Sequence, residues 1–185
     1  FWYAGEPSAR GAAITLHCLG TGDGERFLRA PVGLGGEGWQ EVVVDLGPDI
    51  REQLLDARVM RIDAVLLTHA HADHIHGIDD VRPYVMQQGH MLPVYTDEPT
   101  SEGVRSKFDY IFQTPPGSQY PPLLREHRLT PGEQVVVDGP GGPVEALPML
   151  MRHGDIDALG FRFGDLAYTP DVSDIPPESQ ALLEG

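Results

Sequence analysis

The segment Val65-Leu66-Leu67-Thr68-His69-Ala70-His71-Ala72-Asp73-His74-Ile75-His76-Gly77-Ile78-Asp79-Asp80 constrains this chain more than any other stretch. Four of the eight histidines fall within eight residues, and three aspartates share the segment. The apolar run Ala64 to Leu67 leads straight in and is too short for a helix, so it reads as a buried strand. Gly77 and an acidic pair follow, then Val81 to Met86. The cluster therefore sits where a strand leaves a sheet and the chain turns toward a helix, the place where α/β sheets carry ligands.

Histidines two apart on an extended segment point the same way, so His69 and His71 can reach one ion. Asp73 and His74 lie past the bend and can reach a second ion. Imidazole together with carboxylate suits zinc, manganese or iron. A histidine-rich surface turn is the plainer alternative, and the order of acids directly after a strand argues against it. His76 is read as a neighbour of the ligands or a substrate-facing group, with mere exposure as the alternative.

Beyond this segment, Val42-Val43-Val44-Asp45-Leu46-Gly47 is a strand ending in Asp-x-Gly, His153-Gly154-Asp155 carries a lone histidine, and Tyr168-Thr169-Pro170-Asp171-Val172-Ser173 ends in an aspartate turn. With His-x-His-x-Asp-His, these resemble in order the motifs of the metallo-β-lactamase superfamily. His71-Ala72-Asp73-His74-Ile75-His76-Gly77-Ile78-Asp79-Asp80-Val81-Arg82-Pro83, Pro115-Pro116-Gly117-Ser118 and Pro170-Asp171-Val172-Ser173-Asp174 look most like its cyclic phosphodiesterase branch, associated with phosphonate breakdown. The resemblance implies an α/β fold of the four-layer αββα type in a single domain over residues 1–185, with residues 1–13 a loosely held arm. It also implies that His153 joins His69 and His71 at one divalent ion, that Asp171 bridges to the ion held by Asp73 and His74, and that Asp45 orients a ligand from behind. Asp73 and Asp171 are the candidate catalytic groups.

Two such ions, Zn or Mn with Fe as a further candidate, can share a water, lower its pKa and clamp a phosphoryl or carbonyl oxygen. No Gly-x-Ser-x-Gly elbow is present, so no serine nucleophile is expected. The leading expectation is a phosphodiesterase acting on a small cyclic or nucleotide-like phosphate. RNA 3′-end processing and thioester or lactam hydrolysis are the enzymatic alternatives on the same fold, and a non-catalytic metal-binding fragment is the alternative from another class.

Superfamily members complete the second site with a later histidine, and the cyclic phosphodiesterase branch adds another for the leaving group. No histidine follows His153 here. The second ion then counts three protein ligands and should be held more weakly. A fragment lacking the C-terminal third, a partner chain or a degenerate domain would each account for this, and the missing initiator methionine favours the fragment.

The formal net charge of −15 repels polyanions, which argues against extended nucleic acid as a partner. A small phosphate at the ions remains compatible with it, because the ions set the local field. No apolar stretch approaches the ~18 residues of a membrane span. The single cysteine, Cys18, excludes an internal disulfide and fits a reducing, cytoplasmic compartment. Apolar surface left by a missing third would make the chain a homodimer or prone to aggregate.

Ile14 to Leu19, Glu41 to Asp45, Pro93 to Thr96, Glu133 to Val137 and Val144 to Leu147 read as strands. Asp49 to Ala57 reads as a helix with Asp49 as N-cap and Ile50, Leu54 and Leu55 on one face, and Ser101 to Phe112 as another. Pro83 is expected to limit a helix over 78–86. Gly20 to Gly24 lacks a following Gly-Lys-Ser/Thr and reads as a plain turn. The short, cysteine-free stretch Glu25 to Glu37 excludes the accessory zinc site of the cyclic phosphodiesterase branch. Thr114 to Pro122, framed by Tyr110, Phe112 and Tyr120, is either a wall of the substrate cleft or a surface loop packed on its own aromatics.

Overall fold

The computed structural model describes residues 12–16, 28–32, 41–139 and 142–184. Expectations for most of the N-terminal arm, for His17, Cys18 and the Gly20 to Gly24 turn, and for 25–37 apart from one strand, lie outside these residues.

A six-stranded sheet has the order β2-β1-β3-β4-β5-β6, built from β1 (Ala12–Leu16), β2 (Leu28–Val32), β3 (Glu41–Val44), β4 (Ala64–Leu66), β5 (Leu92–Thr96) and β6 (Leu124–Arg128). Only the β1–β2 pair is antiparallel. A second sheet, order β10-β9-β8-β7, is antiparallel throughout and contains β7 (Val135–Val137), β8 (Val144–His153), β9 (Ile156–Phe163) and β10 (Leu166–Tyr168).

The apolar runs of β3 and β4 explain the layering. Residues 42–44 and 64–66 are all fully buried, as expected of parallel strands covered on both faces. Successive side chains point to opposite faces. Val43 and Val65 pack with Ile50 and Leu54 of helix α1 (Ile50–Asp56), Val85 of α3 (Arg82–Gln88) and Val104 of α4 (Glu98–Phe108). Val42, Val44, Ala64 and Leu66 meet Val144, Ala146, Leu159, Phe161 and Phe163 of the second sheet. Met149, Met151 and Ala158 face the opposite way and pack with Leu182 and Leu183 of α5 (Pro177–Glu184). The sequence of layers is helices, sheet, sheet, helix: the αββα arrangement.

Local differences from the sequence reading have physical causes. Leu55 is 60% exposed, because it lies about 140° around the helix from Ile50 while Gln53 and Leu54 turn inward. Asp49 makes no side-chain cap, and its carboxylate accepts from Gln53 Nε2 instead. Pro83 opens α3 rather than limiting it, since first-turn N–H groups need no intrahelical partner. Asp97 caps α4 by accepting from Thr100 N at 3.0 Å, so that helix begins at Glu98 and not at Ser101.

Candidate metal centre

β4 ends at Leu66, and residues 67–71 continue to the one-turn helix α2 (Ala72–Ile75). Asp45 follows the neighbouring parallel strand β3, so both segments leave the sheet at carboxyl ends. Asp45 has φ 60°, a left-handed conformation that aspartate tolerates better than most residues. That backbone turn aims its carboxylate beneath the histidine motif.

The carboxylate holds three donors. Thr68 N donates to Oδ1 at 2.8 Å, while Thr68 Oγ1 and His74 Nδ1 donate to Oδ2 at 2.7 and 2.8 Å. A hydroxyl has one proton, and Thr68 gives it to Asp45. Thr68 Oγ1 must therefore accept from His69 Nδ1–H, 3.0 Å away. The network fixes the tautomer of both rings: Nδ1 carries the proton and Nε2 carries the lone pair. His69 Nε2 and His74 Nε2 are buried and have no hydrogen-bond partner among the described residues. Two bare, buried imidazole nitrogens aimed at a shared space fit a metal ion. Burial, then the like charge of His74, pushes the His69 pKa down to about 4, which keeps it neutral and able to ligate. Burial also opposes protonation of His74, but the hydrogen bond and charge of Asp45 outweigh it and raise that pKa.

The second sheet supplies the other side. His153 is the last residue of β8, where Gly154 (φ +62°) turns the chain into β9. Ser173 stitches the segment after β10 to that turn: its N–H and hydroxyl donate to Arg152 O, and its Oγ accepts from Gly154 N. This places Asp171 beside His153. One Asp171 oxygen, Oδ2, lies 3.7 Å from His153 Nε2 and 3.5 Å from His74 Nε2. His153 Nε2 is 3.2 Å from His71 Nδ1, and Asp73 Oδ2 is 3.7 Å from His74 Nε2. Donors about 3.3 Å apart are what a tetrahedral ion with bonds of about 2.0–2.1 Å requires.

Two ligand groups result: His69, His71 and His153, and His69, His74 and Asp171. The structure thus brings five of the six candidate ligands into these groups, with Asp171 facing both, while Asp73 lies at the edge beside His74 and in neither group. It also places His69 between the groups. His76 stands apart, exposed, with its ring edge-on to Phe108. His127 stacks on Tyr95. The loop of residues 114–122 lines a groove of about 510 Å3 with Arg82 and Tyr110, and none of the six candidate ligands lines it. The sequence reading passed over Thr68. A polar residue wedged between an apolar strand and the first histidine, with no exposure, is the signal that could have identified it.

Comparison with known proteins gives four likenesses. Residues 40–185 match the family described as beta-lactamase superfamily domain. A solved structure described as a new diphosphatase from the PhnP family is 36% identical with a TM-score of 0.65, over 77% of this chain and 51% of that one. An octanoyltransferase of Porphyromonas gingivalis is 33% identical over 147 residues, and a ribonuclease Z of a Bradyrhizobium species 31% over 152. These matches take in 78% and 79% of this chain, but only 28% and 46% of those two relatives.

Proposed function

The chain belongs to the β-lactamase superfamily, and from that premise we propose that it is a metal-dependent phosphodiesterase acting on a small cyclic or nucleotide-like phosphate. Members of the superfamily are mostly metal-dependent hydrolases. The observation that carries the reading is the single Asp171 oxygen facing His74 and His153 at once, a bridging position between two ligand groups. The likeness to a PhnP-family diphosphatase supports phosphate chemistry over other substrates of the fold.

His69, His71 and His153 would hold one divalent ion; Asp73, His74 and Asp171 would hold the other, with His69 within reach of both. When bound, the pair supplies a lowered water pKa and positive charge against phosphoryl oxygens. The remaining work falls to the chain. Asp45, directly and through Thr68, keeps the His74 and His69 lone pairs turned inward. Burial keeps solvent from those nitrogens. Asp73, at the half-open edge, can accept the proton of an attacking water as the new P–O bond forms. The old P–O bond breaks, and the leaving oxygen takes up the proton that Asp73 has received from the water.

The test is a substrate panel on chelator-stripped protein resupplied with Zn2+ or Mn2+: bis(p-nitrophenyl) phosphate, a cyclic nucleotide, an acyl thioester and a β-lactam. Metal-dependent phosphodiester hydrolysis, reduced by Asp171→Asn, is expected. Thioester or lactam turnover without phosphodiester turnover would overturn the reading. RNA 3′-end processing is a second reading supported by the ribonuclease Z likeness, and the charge of −15 opposes it. A structured RNA added to the panel separates the two.

A further inference from the structure

We infer that Lys107, the only lysine of the chain, is a positioning residue that holds the His69–His71 ligand segment in register from behind. The inference rests on the metal-dependent reading of the site. On the extended segment 69–71, the two histidines face one side and Ala70 the other. The imidazole centroids of His69 and His71 lie 4.7 Å apart, on the ligand side. On the opposite side, Ala70 lies against α4. The approach is so close that a Cβ added at Gly103 would fall 2.4 Å from the Ala70 Cβ. One turn further along α4, Lys107 Nζ donates to the Ala70 carbonyl at 2.8 Å.

The remaining backbone bonds show why this contact matters. Thr68 O accepts from Leu159 N, Thr68 N donates to Asp45, and His71 O accepts from His74 N. These tie down both ends of the segment. The peptide plane between Ala70 and His71 is held at its carbonyl by Lys107 alone among the described residues. Rotation of that plane would swing the His71 ring away from His153, 3.2 Å distant, while His69 and His74 stay fixed on Asp45 through Thr68 and directly. Loss of the Lys107 donor should therefore loosen the His69–His71–His153 group and spare the His69–His74–Asp171 group.

Zinc affinity by chelator competition and the visible spectrum of the Co2+-substituted protein test this on Lys107→Met, Lys107→Arg and His71→Ala. Partners behind a ligand commonly alter metal affinity 10–100-fold, so Lys107→Met should weaken the tighter site about tenfold and shift the Co2+ bands. Its thermal midpoint without metal should match the parent. Lys107→Arg, which retains a donor, should stay within about threefold of the parent. Lys107→Leu, a second variant with no donor, should reproduce the Lys107→Met result, which keeps the test intact if one variant folds poorly. Parent-like zinc affinity and Co2+ spectrum in both Lys107→Met and Lys107→Leu would overturn the inference. If His71→Ala also binds zinc like the parent, it is the metal reading of the site that fails.

Discussion

At the scale of single residues, the ligands were legible because chemistry confines them. His-x-His-x-Asp-His places four metal-binding groups within six residues, and few other uses of a strand end call for that set. The groups that orient them were harder to read. Asp45 was found by its resemblance to a known motif, and Thr68 was missed, because a threonine after a strand has many ordinary uses. Their joint role gives a sharp expectation for Asp45→Asn. Asparagine tolerates the left-handed backbone, so the fold should survive. Yet either amide orientation turns an NH2 toward a donor: toward Thr68 Oγ1 and His74 Nδ1, or toward Thr68 N. Zinc affinity should fall about 10–100-fold, with about 1–3 kcal/mol of stability lost through the unsatisfied group. Chelator competition and denaturant unfolding measure the two. Unchanged affinity would show that the ligands are oriented without Asp45.

At the scale of elements, strands with a uniform apolar pattern were readable and the charged edge was not. β6 reads Leu-Arg-Glu-His-Arg, a poor match to alternation, because it is the last strand of its sheet and its side chains meet α4 and solvent. Charge pairing ties it to the helix. Glu126 accepts from Ser101 Oγ at 2.8 Å and from Arg105 Nη2 at 2.7 Å, with Arg128 2.9 Å away, while the Arg105 guanidinium lies 4.3 Å from the Phe112 ring centroid. Burial alone would raise the Glu126 pKa, but the hydrogen bonds from Ser101 and Arg105 and the charges of both arginines outweigh it and hold the carboxyl below its ordinary value of 4.5. Because the folded pKa is the lower one, this stabilisation is complete above about pH 5 and is lost as pH falls through 4.5 and then through the folded pKa. The melting-temperature gap between parent and Glu126→Gln should be constant from pH 6 to 8 and close below about 4.5. A gap that persists at pH 3 would mean the glutamate acts by packing rather than by charge.

At the scale of the whole molecule, the layers follow from two-sided burial. β3 and β4 give one face to the helices and the other to the second sheet. That packing also makes the metal centre an inter-sheet site. His69, His71 and His74 follow β4, whereas His153 and Asp171 belong to the second sheet and the segment after it. Their separation in the chain, 79 residues from His74 to His153, hid this proximity from any local pattern, and only the resemblance of motif order pointed to it. An ion bound there ties the two sheets together, and an unfolded chain cannot present ligands so far apart at comparable affinity. Metal binding should therefore stabilise the global fold. At a free Zn2+ concentration one hundred times the dissociation constant, linkage gives about 2.7 kcal/mol. For a chain of this size, about 2–4 °C per kcal/mol corresponds to a rise of about 5–11 °C in melting temperature. His71→Ala should lose most of that rise, and His127→Ala, whose ring stacks on Tyr95 away from the site, should keep all of it. Scanning calorimetry with and without chelator measures the shift. An unchanged melting temperature at zinc levels shown by titration to saturate the protein would mean that the ions do not join the two sheets.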